Sequence, residues 1–568
     1  MKANIPLIVA ISGHRDIIKK DEPILKERVK EFFNELKQNN PHTDILLLCG
    51  LAEGADMLVA EVALELGVDL MAVLPYEKDK YLQSFEDTTQ IERFNKLYSQ
   101  AKYKKVLEKS NEGAYVELAK YLAKHSNILL ALWDGNRDNI KPGGTADVVQ
   151  RKEKGYEVEN KLDINEEDII IHIATPREKN PNIKNAYSIN PIFIGRAQEN
   201  DYKNILKHID NLNANIQNID MDSNKGFLDN LKDIFSKMAD NFQKKYEVSS
   251  LLMLGAAFLA VLFVEIIHNF GALKKYGHAI EAFVGVFYFL VVAIMFIYYF
   301  FIKDKELKNH YAHSRGLSEA LRIQKNWFYL DKEPQRAGDY YLMDEIGEYV
   351  WIKTVLKNIY FIELLKGDIK VDFNKANRWI EGQIDYYKGL KEKKEKNQLS
   401  KEELDELERL KKIDYEKYKK RLVGAINYRK EPYHKWEKIE KTLYIFGGVT
   451  TLILFIIFIM KFFGHYEKDI LGVNIKIWFH TLFFLSGISF AAAAFIGEKF
   501  LTIQGYKENI KDFELMLYNF QRAKELLNKA KTNKEKKEII YDLGEKALKE
   551  NSKWLVYHSK YKIKPIVE

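Results

Sequence analysis

Residues 45–74 read ILLLCGLAEGADMLVAEVALELGVDLMAVL, and this stretch decides the class of the first part of the chain. Ile45–Cys49 and Leu70–Leu74 are short, unbroken apolar runs of the kind that strands buried on both faces require. A helical pattern, Ala55–Leu66, lies between them, and two glycines, Gly50 and Gly54, mark the turn from strand to helix. Strand, glycine turn, helix and strand together make one right-handed crossover of a parallel sheet.

The same alternation continues on either side. Leu7–Ile11, Ile128–Leu132 and Ile169–Ile173 read as further strands, with helical patterns at Ile24–Gln38, Gly113–Ala123 and Thr145–Lys154. Residues 1–200 are therefore expected to form an α/β domain with a doubly wound, Rossmann-like parallel sheet. Ligands of such sheets bind beyond the carboxyl ends of the strands, which directs attention to the loops there.

The whole chain has 568 residues, enough for three or four structural units. Its formal net charge of +7 is spread over a chain that is 30% charged, unlike the dense basic face of a nucleic-acid binder, so no nucleic-acid partner is expected. The single cysteine, Cys49, permits no intrachain disulfide, and no Cys/His cluster argues for zinc. Both facts suit a reducing, cytoplasm-facing location.

A mean hydropathy of −0.33 conceals four apolar segments. Val248–Ile267 and Ala282–Ile302 form one pair, Leu443–Met460 and Ile477–Ile496 a second. At 1.5 Å rise per residue, about 20 residues cross a hydrocarbon core of roughly 30 Å, so four transmembrane helices are expected. Lys237, Lys244, Lys245, Lys303, Lys305, Lys308, Lys438, Lys441, Lys499 and Lys507 flank the spans on one side; Lys274, Lys275, Lys461, Lys468 and Lys476 lie in or beside the short loops. The excess places both termini in the cytoplasm of a cell whose inner membrane the chain spans. The N-terminal apolar run lacks a small-residue cleavage site and reads as no signal peptide.

Six segments follow: the α/β domain 1–200, coupling helices 201–247, a first span pair 248–302, a cytoplasmic helical region 303–442, a second span pair 443–496 and C-terminal cytoplasmic helices 497–568. Residues 225–247 carry apolar positions at helical spacing and run directly into the first span. Ser400 and Glu403 form a capping-box signature, and the charge runs 391–396 and 402–412 suit a solvated helical hairpin.

Three glycine-rich turns sit where ligands of the sheet would bind. Gly13, His14 and Arg15 follow the first strand; Gly50, Glu53, Gly54 and Asp56 follow the second. Trp133 and Asp134 follow the strand Ile128–Leu132, ahead of Gly143, Gly144, Thr145 and Asp147. Glycines let backbone N–H groups approach a phosphate at a helix N-terminus, Arg15 can pair with it, Asp56, Asp134 and Asp147 can accept ribose hydroxyls, and Trp133 can stack on a base. Taken singly, each glycine or aspartate is better explained as turn and cap chemistry; their coincidence favours a nucleotide cradle.

The stretch GLAEGADMLVAEVALELGVDLMAVLPY resembles the GLA-x-G-x-D region of the DNA-processing protein A family, and PGGTADVV resembles the PGG-x-GT signature of the lonely-guy phosphoribohydrolases. Both belong to the SLOG superfamily of nucleotide-binding domains, which also supplies the nucleotide-sensing region of melastatin-type TRP channels. The resemblance covers about residues 5–200 and implies that Gly13, Arg15, Gly50, Glu53, Gly54, Asp56, Gly143, Gly144, Thr145 and Asp147 surround the ligand. Where the phosphoribohydrolases have GG-x-GT-x-x-E this chain reads GGTADVV, so their acidic residue is missing or moved. Residues 315–324 (RGLSEALRIQ) and 547–554 (ALKENSKW) are similar to segments of SLATT-type membrane domains, which accompany SLOG sensors and second-messenger synthases in prokaryotic conflict systems.

The expected function is a membrane effector that binds a nucleotide or nucleotide-derived second messenger and then gates or permeabilises the bilayer, as in antiviral abortive infection. The resemblance adds a homo-oligomer and a synthase acting through its product. No catalytic residue, resident cofactor or metal is assigned. A membrane-anchored nucleotide hydrolase using Glu53, Asp134 or Asp147 is the alternative, and a transporter ranks last. His310 and His313 lack a third metal ligand, Glu265 near a span end reads as reaching the interface, and Gly255, Ala256, Gly487, Ala491, Ala493 and Gly497 permit close helix packing.

Overall fold

The computed structural model describes residues 3–560 except 86–87, 108–112, 139, 155–167, 195–197, 270–284, 291–292, 294–306, 342–348, 368–369, 463–468, 471–472 and 498–505. The chain divides into two compact units, Met1–Phe235 with Leu317–Val371, and Ser236–Gly316 with Asp372–Glu568.

In the first unit, β1 (Leu7–Gly13), α1 (Glu22–Asn39), β2 (Ile45–Cys49), α2 (Ala55–Glu65) and β3 (Asp69–Leu74) follow the expected pattern within two residues at each end. So do α5 (Ala114–His125), β5 (Ile128–Trp133), α6 (Thr145–Lys154) and β6 (Ile169–Ala174). Four further elements complete the unit's α/β part: α3 (Lys78–Leu82), α4 (Thr88–Gln100), β4 (Tyr103–Val106) and β7 (Ile189–Phe193). Among the described residues the sheet has seven strands in the order β4-β3-β2-β1-β5-β6-β7, parallel except for β7. Its two edges are the strands that apolar patterning does not reveal. β4 reads YKKV, with lysines that discourage further pairing, and β7 carries Pro191, which cannot donate to a ladder.

Central β1 pairs with β2 on one side and β5 on the other, and Leu7 to Ile11 are all buried. One face packs under α1, α2 and α4 through Val9, Ile11, Phe33, Val59 and Phe94. The unit also includes residues from far along the chain. In the helix Val350–Lys366, Trp351 stacks on His208 of α7 (Glu199–Ile216) at 5.3 Å, Phe361 stacks on His125 of α5 at 4.8 Å, and Asn358 donates to the Pro6 carbonyl at 2.9 Å. A buried ion pair ties α6 to β6: Lys152 Nζ meets Asp168 Oδ2 at 2.6 Å and also donates to the Ala123 and Ser126 carbonyls at the end of α5.

α8 runs from Phe227 to Asn269, so the expected coupling helix and the segment Val248–Ile267 form one continuous helix. The partner segment Ala282–Ile302 lies outside the described residues save for helical residues 285–290 and 293, and the Lys274–Lys275 loop lies outside entirely. In the second unit, Tyr415–Phe462 is interrupted at Gly424, whose φ of 84° and ψ of 157° break the helix. Among the described residues, two helices, Tyr415–Met460 and Trp478–Ile496, are long and apolar enough to cross a membrane, and only 22% of each apolar window is buried. They pack on each other through Leu454, Ile457 and Leu482. Gly447 lies against the Phe490 ring, and Thr451 and Ser486 share a hydrogen bond of 2.7 Å between the helices. Small residues and internally paired hydroxyls are what apposed apolar helices need in lipid. The Ser400 capping box forms as read: its side chain accepts the Glu403 N–H at 3.2 Å while Glu403 accepts the Ser400 N–H at 2.7 Å.

Candidate functional site

The order of strands reverses between β1 and β5, and the loops leaving their carboxyl ends lie where sheets of this kind bind ligands. His14 leaves β1 and Asp134 leaves β5. His14 Nε2 lies 3.2 Å from both the N–H and Oδ1 of Asp134, bridging the switch point. Asp134 Oδ1 also accepts the Asn136 N–H at 3.1 Å, and Oδ2 accepts from the Asn180 amide at 3.3 Å. Burial raises the Asp134 carboxyl, but the Asn136 N–H, His14 and Asn180 outweigh it and leave it below the ordinary carboxylate value. Asp134 is thus an acceptor already engaged by the protein's own donors and unsuited to donating a proton at neutral pH. Burial and then the Arg177 charge hold His14 below the ordinary imidazole value in spite of Asp134. Arg177 itself is fixed by Asp16, its Nε and Nη2 at 3.1 and 3.0 Å from Oδ2.

The glycine turns are occupied differently. Asp56 Oδ1 accepts the Gly13 N–H at 3.2 Å and Oδ2 accepts the Ala52 N–H at 3.4 Å, so one carboxylate ties together the turns after β1 and β2. Burial raises Asp56 to about 7, even though the Ala52 N–H, Arg15 and the Gly13 N–H pull the other way. Asp147 Oδ2 accepts the Gly143 N–H at 2.8 Å and lies 3.1 Å from Arg151 Nε. In both turns a side-chain carboxylate of the protein sits where a phosphate oxygen was expected.

Two of the glycines act as spacers between backbones. Gly54, at φ 82°, lies against the turn after β1, where a Cβ would meet the His14 carbonyl at 2.7 Å and the Arg15 carbonyl more closely still. Gly143, at φ 78°, lies against Tyr115 of α5, with its Cβ position 2.6–2.9 Å from Tyr115 atoms. No side chain fits at either position, and positive φ disfavours one further.

Of the expected residues, Gly143, Gly144 and Thr145 are half-buried at this edge and Arg15 is exposed, whereas the His14 and Asp134 side chains are only 10% and 5% exposed. Gly50 is buried beneath it, against Leu118 and Asp56. Glu53, Asp56 and Asp147 are 7%, 6% and 7% exposed, which leaves them little ligand-facing surface. Trp133 is 3% exposed, lies 5.5 Å from His172 and has Arg137 over its ring at 5.4 Å, so it belongs to the sheet and not to an open stacking platform.

Sequence reasoning missed Asp16, Arg177 and Asn180, because the last two arrive from the loop between β6 and β7 and carry no motif. It also missed Tyr76, Lys80, Tyr81 and Tyr115. Tyr81 donates to the Gly50 carbonyl at 3.0 Å, and Arg15 Nη2 donates to the Tyr115 hydroxyl at 3.4 Å. The available signal was Pro75-Tyr76, directly after β3. Elsewhere, His310 stacks on Phe242 at 5.1 Å and His313 is buried, and among the described residues no group of three His, Cys, Asp or Glu side chains is poised for a metal.

The edge therefore offers an exposed cation and partly exposed aromatic rings, with the hydrogen-bonded Asp134 carboxylate largely enclosed beside His14. No protein-family model matches the chain, and no curated protein matches it significantly, so the reading of this site rests on its own geometry.

Proposed function

We propose that the chain is a nucleotide-sensing integral membrane effector. The observation that carries the reading is the joining, in one chain, of a sheet switch point flanked by Arg15, His14 and Asp134 to two bilayer-length helices whose apolar windows are only 22% buried. The resemblance to SLOG and SLATT domains supports the same reading, as does the depressed Asp134 carboxyl, which is unsuited to acid catalysis. In this proposal the chain crosses an inner membrane four times with both termini in the cytoplasm, assembles as a homo-oligomer, and answers a second messenger made by a separate synthase during infection. Ligand binding biases the spans through α8, by no more free energy than its difference in affinity between the closed and open states.

The test uses the purified full chain in phosphatidylethanolamine and phosphatidylglycerol vesicles loaded with a self-quenched dye. A panel of mononucleotides, cyclic dinucleotides and ADP-ribose derivatives is added, and bound and free pools are analysed by mass spectrometry. Dye release together with an unaltered nucleotide is the expected result. A bound nucleotide that leaves the vesicles intact overturns the effector, and a cleaved product makes the protein a membrane-anchored hydrolase.

A further inference from the structure

Four side chains at the carboxyl edge of the sheet form a row that no motif marks. Arg15 follows β1, and its guanidinium lies 5.8 Å from the Tyr115 ring centroid and donates to the Tyr115 hydroxyl. The Tyr115 ring meets Tyr76 edge to face at 5.7 Å. Lys80, in α3, places Nζ 4.4 Å from the Tyr76 ring centroid. The row thus runs cation, ring, ring, cation, with Arg15 and Lys80 exposed and both rings half-buried.

The turns that usually hold phosphate in sheets of this kind are filled. At the turn before α6, Gly143 N–H is taken by Asp147 and Gly144 N–H by the Lys141 carbonyl at 2.9 Å. At the turns after β1 and β2, Asp56 takes the N–H groups of Gly13 and Ala52. A ligand phosphate entering either place would have to displace a side-chain carboxyl from N–H groups that it already satisfies. The direct contacts of Arg15 and Lys80 are with aromatic rings and a phenol, and the Asp56 carboxyl, which Arg15 feels electrostatically, is tied to the Gly13 and Ala52 N–H groups. A guanidinium can take two phosphate oxygens in parallel, and a tyrosine ring offers a face to a base whatever its identity.

We infer that the anionic end of a nucleoside phosphate binds on Arg15, the Tyr115 hydroxyl and Lys80, with Tyr76 as the ring against which the ligand lies, and that the glycine turn before α6 holds no phosphate. This inference rests on the nucleotide reading above and names the subsite within it.

The experiment measures affinity of the full chain in detergent for ADP, GDP, UDP and CDP and for the four parent nucleosides, by calorimetry at low ionic strength. The variants are Arg15→Gln, Lys80→Ala, Tyr76→Leu and Lys141→Ala, and the melting temperature of each serves as a check on folding. Arg15→Gln should weaken diphosphate binding about 10-fold to 100-fold and leave nucleoside binding unchanged, because a charge-assisted pair is lost. Lys80→Ala should act in the same direction, and Tyr76→Leu should weaken nucleosides and diphosphates alike. Lys141→Ala, at the glycine turn, should change neither. Diphosphate binding that survives Arg15→Gln intact, or is lost in Lys141→Ala, overturns the subsite and leaves the nucleotide reading standing. Failure of the unaltered protein to bind any of the eight compounds overturns both.

Discussion

Leu7–Ile11 and Leu443–Met460 are both runs of mostly apolar side chains, and the molecule treats them oppositely. Every residue from Leu7 to Ile11 is at most 1% exposed, whereas Ile445 is 68% exposed and Phe455 is 59% exposed. The difference follows from the backbone. A strand cannot satisfy its own N–H and C=O groups, so β1 is hydrogen-bonded to β2 and β5 and the layers above and below close over its side chains. A helix satisfies its backbone internally, and its side chains can then face a medium that offers no hydrogen bonds. Apolar composition alone does not separate a sheet core from a bilayer span; length and backbone pairing do.

That contrast predicts where charge is tolerated. In the sheet unit a buried charge survives only with its partner. Lys152→Ala leaves Asp168 buried beside the bare carbonyls of Ala123 and Ser126, and should cost about 3–5 kcal/mol. Chemical denaturation of the purified chain reads the loss, and an unchanged midpoint would mean that Asp168 finds water. In the apolar hairpin the sensitive place is the exposed surface. Leu452 is 61% exposed, so Leu452→Arg would be nearly neutral in water but should cost about 2.5–3.5 kcal/mol of insertion free energy in lipid. Membrane fractionation of the variant decides between the two, and undiminished insertion would break the comparison.

A pH-dependent effect sharpens the sheet side. Burial raises Asp56 to about 7 in the folded chain, above an unfolded value of about 3.9. The folded state therefore holds the proton more tightly. The stability this confers is complete below the unfolded value and is lost as pH rises from about 4 to about 7, by at most about 1.4 kcal/mol per pH unit. Denaturation midpoints of the unaltered chain and of Asp56→Ala, measured from pH 4 to pH 8, should converge or cross in that sense as pH rises. A difference that stays constant with pH would mean that Asp56 is ionised throughout.

Much of the α/β part was legible because its central strands are unbroken apolar runs with no other way to be buried. β4 and β7 were not, since edge strands need only one partner and accept lysine or proline. At the site, His14, Arg15 and Asp134 were found from their places after β1 and β5. Asp56 and Asp147 were read as ribose acceptors, yet Asp56 bridges the turns after β1 and β2 and Asp147 turns back to Gly143, each satisfying N–H groups of the protein. Trp133 ends β5 and stays in the layer its strand dictates. Arg177 and Asn180 reach Asp16 and Asp134 across 161 and 46 positions of sequence, a proximity that no local pattern encodes.

By itself, the sequence determined what depends on neighbours along the chain: the strand and helix periods, the Ser400 cap, the lengths that suit a bilayer and the turns that demand glycine. Tertiary structure alone decided which faces those elements present. It brought the helix Val350–Lys366 to the sheet unit, sealed Trp133 and Glu53 from solvent, and set Tyr115 and Tyr76 between Arg15 and Lys80. The physical reason is range. Backbone conformation answers to the nearest few residues, whereas burial and the pairing of charges answer to whatever the fold brings within a few ångströms.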